Sequence, residues 1–404
     1  MPTRHESQRK PRGSAALACV ILAGVAAALN IGKLPPALPV LQASMGMSLV
    51  QASFLVSVFQ LAGMCFGLFG GVLADRFGAR RVMAGGLALL ALAGAAGALA
   101  TSVSALLALR AIESAGFILT VLPGPALLRR VVAPRAMSVA LGFWGAYMPT
   151  GMSLALVATP WLIPLGEWRL AWWLAAAVAA IALASLLRAL EPDPRRALAE
   201  PGLTRYALDT LRSGAPWLLA LAFGLYAGQF IAVFAFLPTV YQQAGVTATL
   251  AGTLTALGVA VNLGGNIVAG VLLQRGATRN ALLAGASLAM AAFALLAFDE
   301  RLGFAARYAS VLAFSAFGGL IPGTLFATAP RFAPYPGAVS STTGLMQQGA
   351  ALGQFVSPPL VAWVASTSGG WQHTGLVTGA FALANVAVAA MIGRQDRRRA
   401  ASGG

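Results

Sequence analysis

Charged residues are scarce in this sequence. Of its 404 residues, 27 are Lys or Arg and 11 are Asp or Glu, so 9% are charged whereas 58% are apolar. In a soluble domain about a quarter of the residues are charged. A water-facing surface with so few charges would expose large apolar patches. The composition therefore excludes a soluble enzyme, a disordered chain and a coiled coil, and it predicts a protein surrounded by lipid.

Cysteine and histidine are rare as well. Cys19 and Cys65 both lie inside apolar runs, so we expect two buried free thiols rather than a disulfide framework. His5 and His373 are the two histidines, and the sequence has no Walker loop, no Rossmann fingerprint and no cluster of metal ligands. We therefore expect no metal, no cofactor, no ATP-driven pumping and no catalytic residues.

Apolar runs long enough to cross a bilayer, which needs about 20 residues per helix, occur twelve times. The runs lack the alternation of polar and apolar residues that a transmembrane barrel requires. The sequence thus predicts an all-α membrane protein with twelve transmembrane helices. The predicted spans are 15–40, 48–73, 82–101, 104–127, 137–160, 170–190, 215–240, 247–273, 281–298, 304–329, 338–365 and 372–392.

Basic residues indicate the orientation of these spans. With the N-terminus inside, most Lys and Arg residues fall in cytoplasmic segments, and the outer loops hold only Arg169, Arg301 and Arg307. We therefore expect a multi-pass protein of the inner cell membrane with both termini in the cytoplasm. The net charge of +16 then needs no nucleic acid as a partner. A cleaved secretory signal is the alternative for the first apolar run.

The two halves of the sequence align without gaps at an offset of 199 residues, which indicates an internal repeat. The repeat favours retention of the first span, because that span has a counterpart in the second half. The matched residues include Leu38-Pro39 with Leu237-Pro238, Gly46 with Gly245, Arg76 with Arg275, Arg80 with Arg279 and Pro123 with Pro322.

The repeat predicts two pseudo-symmetric halves of six helices each. Between them, Leu203, Tyr206, Ala207 and Leu211 recur at helical spacing, but Thr210 interrupts the apolar stripe. A short amphipathic helix on the inner leaflet and a disordered linker are the two interpretations of this segment. The predicted parts are an N-terminal tail at 1–14, a first half at 15–190, a linker at 191–214, a second half at 215–392 and a C-terminal tail at 393–404.

The loop after the second span carries the most specific motif of the sequence. It resembles the loop 2–3 signature of the major facilitator superfamily, in which Asp75 is the one acid among basic residues. The resemblance implies a cytoplasmic gate that is asymmetric, because Gln274, Ala277 and Asn280 stand at the matching positions of the second copy. A plain positive loop is the alternative. The residues assigned to the gate are Gly71, Asp75, Arg76, Gly78, Arg80, Arg81, Arg275 and Arg279.

Further segments resemble the same superfamily. Arg110-Ala-Ile-Glu113 resembles its fourth-span element and Trp168-Arg169 its outer-loop pair, while the stretch 144–151 is similar to cyanate-type and organic-anion permeases. Gly142, Gly145, Pro149 and Gly151 only partly match a pattern of antiporters. The resemblance implies a secondary transporter that moves a small molecule past a midplane site by alternating access. We expect it to be a monomer in the lipid bilayer.

Three ionisable residues lie inside predicted spans, where burying charge is expensive, and are therefore candidates for function. Lys33, one turn after Asn30, is predicted to attract an anion, and the alternative is a lysine that reaches to the headgroups. Arg110 and Glu113 form an i, i+3 pair. They are either a structural ion pair or, since Glu113 is the one intramembrane acid, a proton-coupling site tuned by Arg110.

Neutral polar residues on several spans complete the predicted substrate site, and hydrogen bonds between helices are the alternative role for each of them. Because two cations face one acid, we expect transport of a small organic or inorganic anion together with protons. A proton-coupled drug or metabolite efflux pump and a non-transporting receptor or scaffold are the alternatives. The predicted substrate-binding residues are Asn30, Lys33, Gln60, Arg110, Trp144, Tyr147, Tyr226, Gln229, Asn262, Asn266, Gln347 and Gln348.

Overall fold

A computed structural model describes residues 10–69, 77–133, 140, 144, 147–193, 202–335 and 338–402, and no strand occurs among them. Their helices, in chain order, are α1 Lys10–Gly32, α2 Leu34–Met45, α3 Leu49–Ser57, α4 Leu61–Phe66, α5 Ala79–Ala98, α6 Val103–Val121, α7 Gly124–Val131, α8 Tyr147–Ala189, α9 Gly202–Arg212, α10 Gly214–Gln243, α11 Ala248–Gln274, α12 Arg279–Ala297, α13 Phe304–Phe332, α14 Val339–Ser368 and α15 Thr374–Ser402. Two 3₁₀ turns, Val58–Gln60 and Gly67–Phe69, flank α4.

The predicted spans lie on these helices. Within the described ranges, ten helices are long and apolar enough to cross a membrane. Helix α8, with 43 residues, contains residues 147–160 of the fifth predicted span and 170–189 of the sixth. Helix α14 carries the eleventh predicted span in addition to those ten. Most of the described residues of each of the twelve predicted spans are therefore helical.

The chain divides into two compact units. The first unit comprises Met1–Lys33 and Gly70–Glu200, and the second comprises Leu34–Phe69 and Pro201–Gly404. The first unit therefore holds α1 and α5 to α8, and the second holds α2 to α4 and α9 to α15. The predicted domain boundaries at 15–190 and 215–392 remain a prediction.

Lys33 occupies a break of one residue between α1 and α2. Its backbone N–H still donates to the carbonyl of Leu29 at 2.9 Å. Pro35 and Pro36 follow it, and proline has no backbone N–H to continue the helical hydrogen bonds of the preceding turn. The helical hydrogen bonding is therefore interrupted next to the buried Lys33.

Glycine brings α1 and α8 into close contact within the first unit. A Cβ atom at Gly32 would collide with the backbone carbonyl of Met152, and one at Gly151 would lie 2.5 Å from the carbonyl oxygen of Val25. Such close backbone approach is typical of small residues between membrane helices. This contact holds one end of α1 against α8, and that end carries the buried polar side chains.

Helix α8 is interrupted between its two predicted spans. Gly166 and Glu167 have non-helical backbone angles, and Glu167 has φ 55° and ψ −164°. A positive φ is unfavourable for a residue with a Cβ atom. This break turns the chain so that Trp168, the next residue, is fully buried in the first unit.

Helix α9 packs against other helices of the second unit. Ala207 is buried beside Leu68 and Leu345. The rings of Tyr206 and Tyr335 meet edge to face at 5.6 Å, and the hydroxyl of Tyr335 donates to Asp209 at 2.8 Å. Of the two interpretations of the linker, the structure supports a helix, which spans Gly202–Arg212.

The expectation of two buried thiols is wrong for Cys65. Both cysteines are free, but Cys19 is partly buried and Cys65 is exposed. An apolar run predicts burial away from water, and in a membrane protein the lipid also provides an apolar environment. Cys65 on α4 therefore needs no protein neighbours to cover it.

Candidate functional site

The three predicted intramembrane ionisable residues form one cluster in the first unit. The Nζ atom of Lys33 on α1 lies 2.7 Å from Oε1 of Glu113 on α6. Nη1 of Arg110 lies 2.5 Å from Oε2 of the same carboxylate. Each oxygen of Glu113 thus binds a different cation. With all three side chains ionised, the cluster carries two positive charges and one negative charge.

Neighbouring polar groups complete the coordination of the cluster. Lys33 also donates to Oδ1 of Asn30 at 2.7 Å, and Nη1 of Arg110 donates to the backbone carbonyl of Asn30 at 2.9 Å. The amide of Asn30 is held in turn by the carbonyl of Ala26 at 3.1 Å. A single asparagine therefore bridges both cations from α1.

The cluster is sealed from solvent within the first unit. Lys33 and Arg110 are 1% exposed, and Glu113 and Asn30 are 0% exposed. Lys33 therefore does not reach to the headgroups, which was the alternative interpretation of its position. An ion group of this kind is costly to bury unless every member is paired. The pairing explains how the group persists and leaves one positive charge in excess.

Trp172 is a member of the site that the sequence did not single out. Nζ of Lys33 lies 4.5 Å from the centre of the Trp172 ring, which is a cation–π distance. Trp172 packs edge to face with Trp168 at 5.1 Å, and Arg169 lies over the ring of Trp168 at 4.7 Å. The resemblance of Trp168-Arg169 to an outer-loop motif was the signal that could have pointed to this aromatic pair.

Trp144 and Tyr147, predicted to bind substrate, lie together in the first unit with their ring centres 4.7 Å apart. Gly24 on α1 makes room for them, because a Cβ atom there would lie 2.9 Å from the Tyr147 side chain. Trp144 is largely buried. The structure describes no hydrogen bond that would join this pair to the ion cluster.

The predicted polar residues of the second unit form a separate network. Nδ2 of Asn262 on α11 donates to the hydroxyl of Tyr226 at 3.0 Å and to the carbonyl of Ser315 at 3.1 Å. Asn266 donates to Oδ1 of Asn262 at 3.2 Å. These contacts join α10, α11 and α13, so the structure brings three of the predicted residues together.

The glutamines of the second unit are more scattered. Gln229 is fully buried, and its Nε2 approaches Sδ of Met290 at 3.7 Å, while its Oε1 has no hydrogen-bond partner in the described part of the chain. Gln60 is buried at the 3₁₀ turn before α4. Gln348 donates to the carbonyl of Met64 at 2.6 Å, and Gln347 is exposed. The prediction that they bind substrate remains a prediction.

The predicted gate lies only partly within the described residues. Gly71, Asp75 and Arg76 are outside them. Gly78, with φ 92°, precedes α5, as a sharp turn requires. The backbone N–H groups of Arg80 and Arg81 follow it in the first turn of that helix.

Asp193 caps this turn and was not predicted. Its carboxylate accepts hydrogen bonds from the backbone N–H groups of Arg80 at 3.1 Å and Arg81 at 2.9 Å. Nη1 of Arg130 lies 2.5 Å from the same carboxylate. A carboxylate at a helix N-terminus is favourable because of the helix dipole. The acid that contacts the described part of this basic loop therefore comes from the start of the predicted linker.

The second unit contains a comparable acid. Asp396 on α15 lies 3.3 Å from Nη1 of Arg279 and 2.8 Å from Nε of Arg331. Arg275 is exposed at the end of α11. Among the described residues, no three His, Cys, Asp or Glu side chains come together in a way that could hold a metal ion.

Comparison with known proteins identifies relatives of this architecture. The family profile of the Major Facilitator Superfamily matches residues 20–351. The cyanate transport protein CynX of Escherichia coli is 29% identical over 227 residues, which cover 55% of this chain and 57% of that protein. The multidrug transporter mfsC of Aspergillus fumigatus is 30% identical over 139 residues, which cover 34% of this chain and 27% of that protein. The matches thus span little more than half of the first relative and about a quarter of the second.

Among solved structures, a bacterial homologue of the human lysosomal transporter Spinster superimposes with a TM-score of 0.79. The match covers 98% of each chain at 14% sequence identity. Such low identity supports the fold alone. Together with the family match, the superposition confirms the predicted all-α membrane fold. Twelve transmembrane helices are consistent with that fold.

Proposed function

Because the chain belongs to the Major Facilitator Superfamily and is a multi-pass membrane transporter, we propose that it moves a small organic or inorganic anion, coupled to protons. One observation carries this proposal: Lys33 and Arg110 share the single carboxylate of Glu113 in a buried cluster. When Lys33 is an ammonium, the cluster has one positive charge in excess, which a bound anion would neutralise.

The geometry favours a small anion over a cation. A cation approaching Glu113 would meet the two basic side chains that already bind its carboxylate oxygens. An anion can instead share the donors of the ammonium and guanidinium groups, which carry several N–H bonds each. The relation to a cyanate transport protein is consistent with a small anionic solute.

Transport in proteoliposomes tests this proposal. We expect the purified protein to take up radiolabelled cyanate, or another anion from a panel of nitrate, formate and acetate, and uptake to rise when the outside is acidic. Replacement of Arg110 by Gln should reduce uptake at least about tenfold, because a lost charged hydrogen bond is worth about 1.5–3 kcal/mol.

The matched control is Arg301→Gln. Arg301 pairs with Asp299 in an exposed ion pair away from the cluster, so its loss should leave anion uptake within about twofold of the natural chain. Equal loss in both variants, or no uptake of any anion of the panel, would contradict the proposal.

Drug efflux is the second candidate function, and a feature of the second unit favours it. Phe223, Tyr226, Phe230 and Phe234 follow one another along α10, with neighbouring ring centres 6.1, 5.9 and 4.5 Å apart. Stacked aromatic rings are typical of sites for large apolar ligands. A multidrug transporter is also among the relatives. Cells that become drug-resistant on expression, with no anion uptake by the protein, would favour this function.

We also propose that the transporter is a monomer of the inner membrane with both termini in the cytoplasm. The distribution of Lys and Arg supports this orientation. The gate at the loop after span 2 belongs to the same proposal. The hydrogen bonds that Asp193 accepts from the backbone N–H groups of Arg80 and Arg81 support a fixed position for the first turn of α5, which follows that loop.

A further inference from the structure

The carboxylate of Glu113 is poorly placed to carry a proton. It is the one intramembrane acid of the sequence, which favours it as the proton site, but each of its oxygens binds a cation, at 2.7 and 2.5 Å. Protonation would remove the negative charge and leave Lys33 and Arg110 as two buried cations. Burial of unpaired charges is strongly unfavourable. Glu113 is therefore best suited to remain ionised.

Lys33 is the member of the cluster that can remove the excess positive charge, by losing a proton. The guanidinium of Arg110 does not lose its proton in proteins, whereas a buried lysine does so readily. If Lys33 becomes a neutral amine, Arg110 and Glu113 remain as a balanced pair. An empty site is then electrically neutral, and a site with an anion bound needs the ammonium.

Among the described residues around Lys33, no other ionisable group takes this role. Helix α6 presents Arg110 and Glu113, and α8 presents the uncharged ring of Trp172. Helix α2 has no ionisable residue. The other ionisable residues of α5 and α8 in the described part of the first unit lie elsewhere on these helices. Arg80 and Arg81 are in the first turn of α5, where the guanidinium of Arg80 donates to the carbonyl of Leu187. On α8, Glu167 pairs with Arg169, Tyr147 lies beside Trp144, and Arg188 is in the last turn.

We propose that Lys33 carries the coupled proton and is an amine when the site is empty and an ammonium when an anion is bound. This rests on the proposed anion transport. One proton from the donor side forms an N–H bond on Nζ of Lys33 as the anion binds, and both are released on the acceptor side. Each cycle then moves one anion with one proton and no net charge. Glu113 and Arg110 keep their charges throughout.

The lysine content of the chain allows a direct test. Lys10 and Lys33 are its two lysines, so ¹³C labelling of lysine side chains gives two signals in an NMR spectrum. In the empty protein in lipid nanodiscs, we expect the Lys33 signal to change to that of an amine at a pH at which Lys10 is still an ammonium. The variant K10R assigns the remaining signal to Lys33.

Transport provides a second, independent readout. With cyanate as the probe, an acidic exterior one pH unit below the interior should give up to about tenfold accumulation, because one proton accompanies each anion. In K33R the residue at position 33 cannot release its proton. The ratio of uptake with and without the pH gradient should fall to about one, whereas the matched substitution K10R should keep the full ratio.

The two readouts separate the possible failures. A Lys33 signal that stays that of an ammonium over the whole pH range of transport would overturn the proposal, and so would a K33R protein that still responds to the gradient. Loss of the gradient response in E113Q but not in K33R would return the proton to Glu113. If the natural chain transports no cyanate, the anion proposal fails for that solute, and the NMR titration alone decides the state of Lys33.

Discussion

At the residue scale, the properties of the buried cluster follow from which partners each charge has. Lys33, Arg110 and Glu113 could be selected from the sequence, because a charge inside an apolar run stands out. That Lys33 reaches Glu113, 80 positions away, could not be predicted, because it depends on how α1 packs on α6. Trp172 was not selected from the sequence, and the reason is related. An aromatic residue in an apolar span has no feature that separates a cation–π partner from ordinary packing.

Removal of the shared carboxylate should destabilise the protein. We expect E113A to lower the free energy of unfolding by about 3–5 kcal/mol, because it leaves the buried guanidinium of Arg110 without its acid. Thermal or denaturant unfolding of the purified protein in detergent measures the change. E167A removes the carboxylate of an exposed pair and should cost less than about 1 kcal/mol. Equal costs for both variants would show that the cluster does not depend on its charge balance.

At the element scale, helices were predicted more accurately than the breaks between them. The spans at 137–160 and 170–190 were expected as two helices, and two helical stretches are present within Tyr147–Ala189. The break between them is confined to Gly166 and Glu167 and does not extend over 161–169. Helix α9 shows the reverse case. Thr210 was thought to interrupt its apolar stripe, yet it is buried, because its hydroxyl donates to the carbonyl of Tyr206 at 2.8 Å. A hydroxyl that is satisfied by its own helix can face a core.

The packing of α9 also depends on a hydrogen bond outside the membrane. Burial and the hydrogen bond to Asp209 raise the pKa of Tyr335, so its hydroxyl keeps the proton that it donates. This contact could not be predicted from the sequence, since Asp209 and Tyr335 are 126 positions apart.

The break in α8 leads to a prediction on stability. Glu167 has a positive φ, which glycine adopts without a steric penalty. We expect E167G to raise the free energy of unfolding by about 1 kcal/mol relative to E167Q, which loses the same carboxylate but keeps the Cβ atom. Unfolding curves of the two variants under the same conditions measure the difference. A glycine variant less stable than the glutamine variant would contradict the backbone assignment.

At the scale of the whole molecule, the repeat predicts turns well and charges poorly. Gly46 and Gly245, matched at the offset of 199, both have a positive φ. At the next matched turn Gly78 has φ 92°, and Ala277 is its counterpart, but Gly276 supplies the same φ one residue earlier. The cluster has no counterpart at all, because Ala232, Ala309 and Leu312 stand where the first half has its two cations and its acid. The second half keeps the architecture and not the ion site.

The proposed orientation is tested by fusions at the C-terminus. Because basic residues concentrate in the segments assigned to the cytoplasm, we expect a C-terminal green fluorescent protein to be fluorescent in cells and a C-terminal alkaline phosphatase to be inactive. A fusion of the phosphatase to the loop that contains Arg301 should be active, which serves as the matched control. The opposite pattern would reverse the assignment of both termini.

The two free thiols have a practical consequence for measuring transport. Cys19 belongs to the first unit and Cys65 to the second. The natural chain therefore already carries one attachment point for a spectroscopic label on each unit, and no cysteine has to be introduced or removed. Spin labels on this pair would report the distance between the units as an interspin distance distribution, with and without solute.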